Sequence, residues 1–93
     1  MAWKVSYTRT SVKQLSSLPR ETALKISNLM DMIAFSGKPL NSGKALTGNL
    51  AEYWRYRIGN YRIICHIDNE GEEIMVVAMG DRKNIYKQVK RKP

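Results

Sequence analysis

Apolar and polar residues alternate at the start of the chain, where Trp3, Val5 and Tyr7 are interleaved with Lys4 and Ser6. A period of two puts the apolar set on one side of an extended backbone, so residues 3–7 are predicted to form a half-buried strand. A polar stretch, 8–10, follows, and the period then lengthens. Over residues 11–18, Val12, Leu15 and Leu18 are spaced as on a helix until Pro19 interrupts them. Proline fits the first helical turn and Glu21 suits the positive end of a helix dipole, so a second helix is predicted to begin at Pro19 or Arg20. Its inward stripe is Ile26, Leu29, Met30 and Ile33, an i, i+3, i+4, i+7 set in which methionine reads as gap-filling core. Gly37 and Pro39 stop it.

Residues 37–49, GKPLNSGKALTGN, carry no period and read as a loop crossing toward a sheet. They do not form a phosphate loop, because Ala45 follows Gly43-Lys44 where Ser or Thr is needed and the flanking elements come in the wrong order. Three strands follow. Residues 53–58 and 61–68 are separated by Gly59-Asn60, a pair suited to a two-residue hairpin turn. Residues 69–71 make the next turn, and 73–79 contain the apolar run IMVVAM of a central strand, ended by Gly80. The tail DRKNIYKQVKRKP can form a short helix around 85–89 or stay irregular. One N-terminal strand, two helices and three hairpin-connected strands predict an α+β fold, a small antiparallel β-sheet with helices packed on one face. A single domain over residues 1–93 is expected.

Composition supports a globular chain, with 93 residues of which 43% are hydrophobic and 26% charged. No apolar run approaches the roughly 20 residues of a membrane span, and the first residues lack the apolar core of a signal peptide. A cytoplasmic protein with no membrane partner is expected. Cys65 is the single cysteine, and its apolar flanks IICHI predict a buried, inert thiol. His66 is the single histidine, and neighbouring strand residues face opposite ways. A zinc site needs about four ligands. No metal and no cofactor are called for.

Charge changes the picture more. Sixteen Lys and Arg against eight Asp and Glu give a net charge of +8, with a pI near 9.9. That balance favours a polyanionic partner such as RNA, DNA, a ribosome or an acidic protein. Arg55, Arg57, Arg62, Arg82, Lys83, Lys87, Lys90, Arg91 and Lys92 all follow Tyr53. If the Gly59-Asn60 turn is tight, Ile58 opposes Tyr61, Arg57 opposes Arg62 and Arg55 opposes Ile64. Three guanidiniums then share one face, while Trp54, Tyr56, Ile58, Tyr61, Ile63 and Cys65 enter the core from the other. Opposed like charges destabilise a sheet, and a fold accepts them more readily where an anion belongs. Arg82 stands where the chain leaves the sheet, with Tyr86 four residues on. Arginine donates two parallel hydrogen bonds to a phosphate, and tyrosine can stack on a base or exchange a proton. A solvated basic surface beside a packed aromatic is the alternative reading of the same residues.

The stretch YWRYRIGNYRIICHID, followed by IMVVAMGDRKNIY, resembles the RelE toxins of bacterial and archaeal toxin–antitoxin pairs, part of the broader RelE/ParE superfamily. KALTGNLAEYW is similar to the segment leading into the family's first active-site strand, and LSSLPRE to its helix junction. The resemblance implies a small sheet flanked by helices that enters the ribosomal A site and cleaves mRNA there. It implies metal-free attack of a ribose 2′-hydroxyl on the adjacent phosphate, a cognate RelB-like antitoxin as partner, and the ribosome and mRNA as the others. By position, Arg55 and Arg57 match the two basic residues of the family's active-site strand, Arg62 its Tyr-Arg arginine, Arg82 its Gly-x-Arg arginine and Tyr86 its C-terminal tyrosine.

One departure matters. The family often has lysine where this chain has Arg55 and Arg57, and arginine does not give up its proton. The expected catalytic set is therefore Arg62, Arg82 and Tyr86, with Arg55, Arg57, Lys83 and Lys87 binding the RNA backbone. His66 shares a face with Arg62 and Ile64 and is a second acid–base candidate; Glu52 is a third. A ParE-like inhibitor of DNA gyrase, with the same fold and no nuclease chemistry, is the competing function, and a nucleic-acid-binding module without catalysis is a third.

Overall fold

The computed structural model describes residues 3–83 and 85. Among the described residues, five strands and two helices occur in the order β1 (Lys4–Tyr7), α1 (Arg9–Ser16), α2 (Arg20–Ser36), β2 (Lys44–Ala45), β3 (Tyr53–Ile58), β4 (Tyr61–Asp68) and β5 (Glu73–Asp81). Short 3-10 turns at Pro39–Asn41 and Gly48–Leu50 flank β2. The sheet order is β1-β5-β4-β3-β2.

Both helices follow from local chemistry. Thr8 caps α1, accepting from the Ser11 amide at 3.2 Å, so the helix starts at Arg9 rather than Ser11. Leu15 and Leu18 pack against the core, but Val12 faces solvent. The predicted stripe of α2 is realised: Ile26, Met30 and Ile33 are buried and Leu29 packs beside them. Gly37 ends α2 with φ of 72°, a left-handed turn that costs glycine little.

Strands β3, β4 and β5 run antiparallel through their hairpins, as expected. β1 does not. It pairs with β5 in parallel, Val5 opposite Ile74 and Tyr7 opposite Val76, which makes the sheet mixed. No turn links these two strands, so direction is set by which side chains meet under α2. β5 thereby becomes an interior strand, and it extends past Gly80 to Asp81.

A bulge in β5 explains its unbroken apolar run. Ile64 pairs with Ala78 and Cys65 with Val76, leaving Val77 as an extra residue. The alternation inverts there, so Ile74, Val76 and Met79 all reach the helix-side core, while Ala78 and Gly80 face the other way. Pairing of β1 along β5 ends at Val76, opposite Tyr7, and α1 supplies partners for the edge beyond. The Thr8 hydroxyl donates to the Val77 carbonyl at 3.1 Å, and the Met79 amide donates to Gln14 Oε1 at 2.8 Å.

The helix-side core contains Tyr56, Ile63 and Cys65, with Trp54 and Ile58 partly buried against it. Tyr61, expected in the same layer, is half-buried at the hairpin end. A second, smaller cluster lies on the opposite face, where Ile64, Ala78 and Ile85 are buried together with Leu46, Leu50, Tyr53 and Val77 around them. No sequence pattern pointed to it. Among the described residues, no helix is long and apolar enough to cross a membrane.

Candidate functional site

The Gly59-Asn60 turn sets the geometry of the basic face. Gly59 takes φ of 54° while Asn60 stays at negative φ, the sign pattern of a type II′ turn with glycine first. Ile58 closes against Tyr61, and the next pair outward is Arg57 opposite Arg62. Counting outward from a two-residue turn, that pair is of the non-hydrogen-bonded kind, in which Cα atoms approach to about 4.5 Å. Arg55 lies opposite Ile64 on the same face. The register read from the sequence is the register observed.

Within this face the three arginines differ in exposure. Arg57 is exposed, Arg55 is half-buried and Arg62 is only 8% exposed. Arg62 Nη1 donates to the Gly59 and Tyr61 carbonyls at 3.4 and 3.5 Å, long contacts that leave most of its hydrogen-bonding capacity to another acceptor. Opposite Arg62 on its other flank is Gly80, which sets no side chain of its own beside it. Burying a guanidinium without strong acceptors is costly unless a negative group completes it.

Arg82 comes in from a different direction. Its amide donates to the Asn60 carbonyl at 3.0 Å, which pins it to the hairpin turn at the same end of the sheet as Arg57 and Arg62. Lys83 follows in a turn in which its amide donates to Asp81 Oδ1 at 3.1 Å. Asn60, Asp81, Arg82 and Lys83 line a depression of about 340 Å³ there. The remaining expected site residues, Tyr86 and Lys87, lie outside the described residues, as does the expected helix beyond Ile85.

His66 is placed apart from the arginines. It is half-buried between Tyr53 and Met75, and the buried Ile64 separates it from Arg62 along β4. The small apolar cluster around Ile64 and Ile85 thus stands between the histidine and the cationic end. Glu52 is exposed just ahead of β3.

Two groups in the core are removed from chemistry by burial. Desolvation pushes the Cys65 thiol well above its ordinary pKa, in keeping with an inert cysteine. The Tyr56 phenol is also pushed up, by burial first and by Cys65 second, and its hydroxyl donates to the Pro39 carbonyl at 2.6 Å. Tyr56 therefore anchors structure.

Lys44 is the basic residue that sequence reasoning did not find. Residues 37–49, read as loop, contain β2, and Lys44 there lies directly opposite Arg55. Trp54 Nε1 donates to the Ser42 carbonyl at 2.8 Å, and the Leu46 amide donates to the Tyr53 carbonyl at 3.1 Å. Gly43 has φ of 76°, and a Cβ on it would come within 2.4 Å of the Arg55 carbonyl oxygen and 2.6 Å of Trp54 Nε1. Only glycine lets the chain lie so close to β3. That glycine was the sole sequence signal, and a two-residue strand has no alternation to add to it.

A family model described as the ParE toxin of type II toxin–antitoxin system, parDE, matches residues 5–86. Toxin RelG of Mycobacterium tuberculosis is 30% identical over 91 residues, covering 95% of this chain and 100% of RelG. Among solved structures, the toxin–antitoxin complex RelBE2 from M. tuberculosis matches with a TM-score of 0.75 at 28% identity, covering 88% of this chain and 100% of that one. The isolated Escherichia coli RelE toxin, 12% identical, shares the fold with a TM-score of 0.71 over 95% of each chain. The fold expected from element order and the sequence relationship over nearly the whole chain agree, and the chain belongs to the RelE/ParE superfamily of toxins from type II toxin–antitoxin systems.

Proposed function

We propose that this toxin is a ribosome-dependent mRNA endonuclease that cleaves messages in the ribosomal A site and so inhibits translation. The observation that carries this reading is the opposed pair Arg57 and Arg62, with Arg55 on the same face and Arg82 pinned at the same end. Like charges set across a ladder weaken a sheet, and a phosphodiester held between them removes that penalty. The reaction is attack of a ribose 2′-hydroxyl on the adjacent phosphate, expelling the 5′-oxygen of the next nucleotide and leaving a 2′,3′-cyclic phosphate.

Arg62 and Arg82 hold the scissile phosphate and stabilise the negative charge that grows on it in the transition state. Arg55, Arg57, Lys83 and Lys87 hold the RNA backbone. Arginine cannot act as a base, so Tyr86 is assigned to proton transfer or base stacking. Positioning supplies much of the acceleration, since the reacting hydroxyl and phosphate belong to one molecule and need only be aligned. Like the relatives solved as RelB–RelE complexes, the toxin would be held silent by a RelB-like antitoxin in the cytoplasm.

Pulse expression followed by primer extension on a reporter message tests this. Codon-positioned cuts that vanish in Arg62→Ala and Arg82→Ala support the nuclease. The match to a ParE toxin model favours one other reading, inhibition of DNA gyrase. DNA damage with intact messages, unaffected by these two substitutions, would establish that function instead.

A further inference from the structure

We propose that Lys44 and Arg55 form a second phosphate subsite, one nucleotide along the RNA backbone from the phosphate held by Arg57 and Arg62. This rests on the RNA-binding reading above and extends it to a residue outside the arginine set.

Two like-charged cross-strand pairs stand on one face of the sheet, Lys44 opposite Arg55 and Arg57 opposite Arg62. Arg55 and Arg57 are two residues apart on β3, a rise of about 6.6 Å. That rise is comparable with the spacing of successive phosphates along an extended single strand, so a backbone laid along β3 presents one phosphate to each pair. A lone surface lysine would carry no such meaning. Here the chain is built to hold this one in place: Gly43 sits against the Arg55 carbonyl, Trp54 ties down Ser42, and Tyr56 ties down Pro39 through a buried bond.

The surroundings suit a nucleotide as well as its phosphate. Lys44, Ala45, Leu46, Thr47, Leu50 and Arg55 line a cleft of about 410 Å³, with the leucines from the small apolar cluster bordering the two cations. A ribose or base can rest on that apolar wall while its phosphate meets the cations. An acidic protein would also be drawn to the charge, but the pairing of cations at phosphate spacing beside an apolar wall favours RNA.

The test uses purified toxin and a short fluorescent single-stranded RNA, 2′-O-methylated throughout so that it cannot be cleaved, with affinity measured by anisotropy over a range of salt. Lys44→Ala should weaken binding at low salt and reduce the slope of log K against log salt by about 0.7, one single-strand phosphate contact. Lys44→Arg should restore both. Gly43→Ala, which keeps the lysine but pushes β2 off β3, should mimic Lys44→Ala. Lys25→Ala, exposed on α2, should change nothing. A Lys44→Ala slope equal to that of Lys25→Ala overturns the subsite, as does failure of Lys44→Arg to rescue, or loss of affinity for an acidic antitoxin segment with the RNA slope unchanged. Because the probe cannot react, the measurement is independent of cleavage. A toxin that cuts no message yet shows the slope loss keeps the subsite and refutes the nuclease; normal cutting with an unchanged slope does the reverse.

Discussion

Replacing Arg57 by glutamine should make the protein more stable and less active at once. Arg57 opposes Arg62 across β3 and β4 and is itself exposed, so the substitution removes a repulsion without opening a cavity. Directly opposed side-chain pairs contribute roughly 0.2–1 kcal/mol, unfavourably for like charges, and about 0.5 kcal/mol is a fair value where one partner is solvated. For a chain of this length about 1 kcal/mol moves Tm by roughly 4–8 °C. The expected gain is therefore about 2–4 °C at low salt. In 1 M salt the Debye length falls to about 3 Å, so the repulsion felt by the solvated Arg57 is largely screened and the gain should disappear. Circular-dichroism melts at the two salt concentrations measure it. RNA affinity should fall about tenfold, the loss of one charge-assisted contact. A short RNA should raise the Tm of the wild type more than that of Arg57→Gln. If the variant melts no higher than wild type at low salt, or keeps its gain in 1 M salt, the arginines do not repel and the argument for an anion between them fails.

Tyr56→Phe strips the buried hydroxyl from the Pro39 carbonyl and should cost about 1–3 kcal/mol in urea unfolding; a neutral result would mean the carbonyl finds water instead. Thr8→Val removes both the α1 cap and the donor to Val77 and should cost about 1–2 kcal/mol, whereas Thr8→Ser should recover most of it. Alkaline pH should destabilise the fold through Cys65. Burial raises its folded pKa above the ordinary 9.0, so above that pH the unfolded chain has lost a proton the native state retains, and stability falls as pH rises. Cys65→Ala should flatten that fall by up to about 1.4 kcal/mol per pH unit; an unchanged slope would show that the thiol does not ionise selectively on unfolding.

Much of the cationic face was legible in the chain because a two-residue turn fixes register. Once Gly59-Asn60 closes Ile58 against Tyr61, side-chain alternation alone puts Arg57 opposite Arg62 and Arg55 on the same side. The stripe of α2 was readable for the same reason, a local period imposed by a regular backbone.

What tertiary structure decided were the relations no local rule reaches. β1 pairs in parallel with a strand about seventy residues away, joined by no turn that could dictate its direction. The bulge at Val77 inverts the alternation of β5, whose Gly80 pairs with Arg62, although IMVVAM reads as uniformly apolar whichever way it faces. Ile64 and Ile85 meet over the open face and part His66 from the arginines, although alternation places His66 on their side. Lys44 reaches Arg55 because aromatic side chains of β3 hold a short irregular segment against the sheet edge. Hydrophobic alternation constrains neighbours along one chain, and contacts between distant segments depend on the packing of the whole.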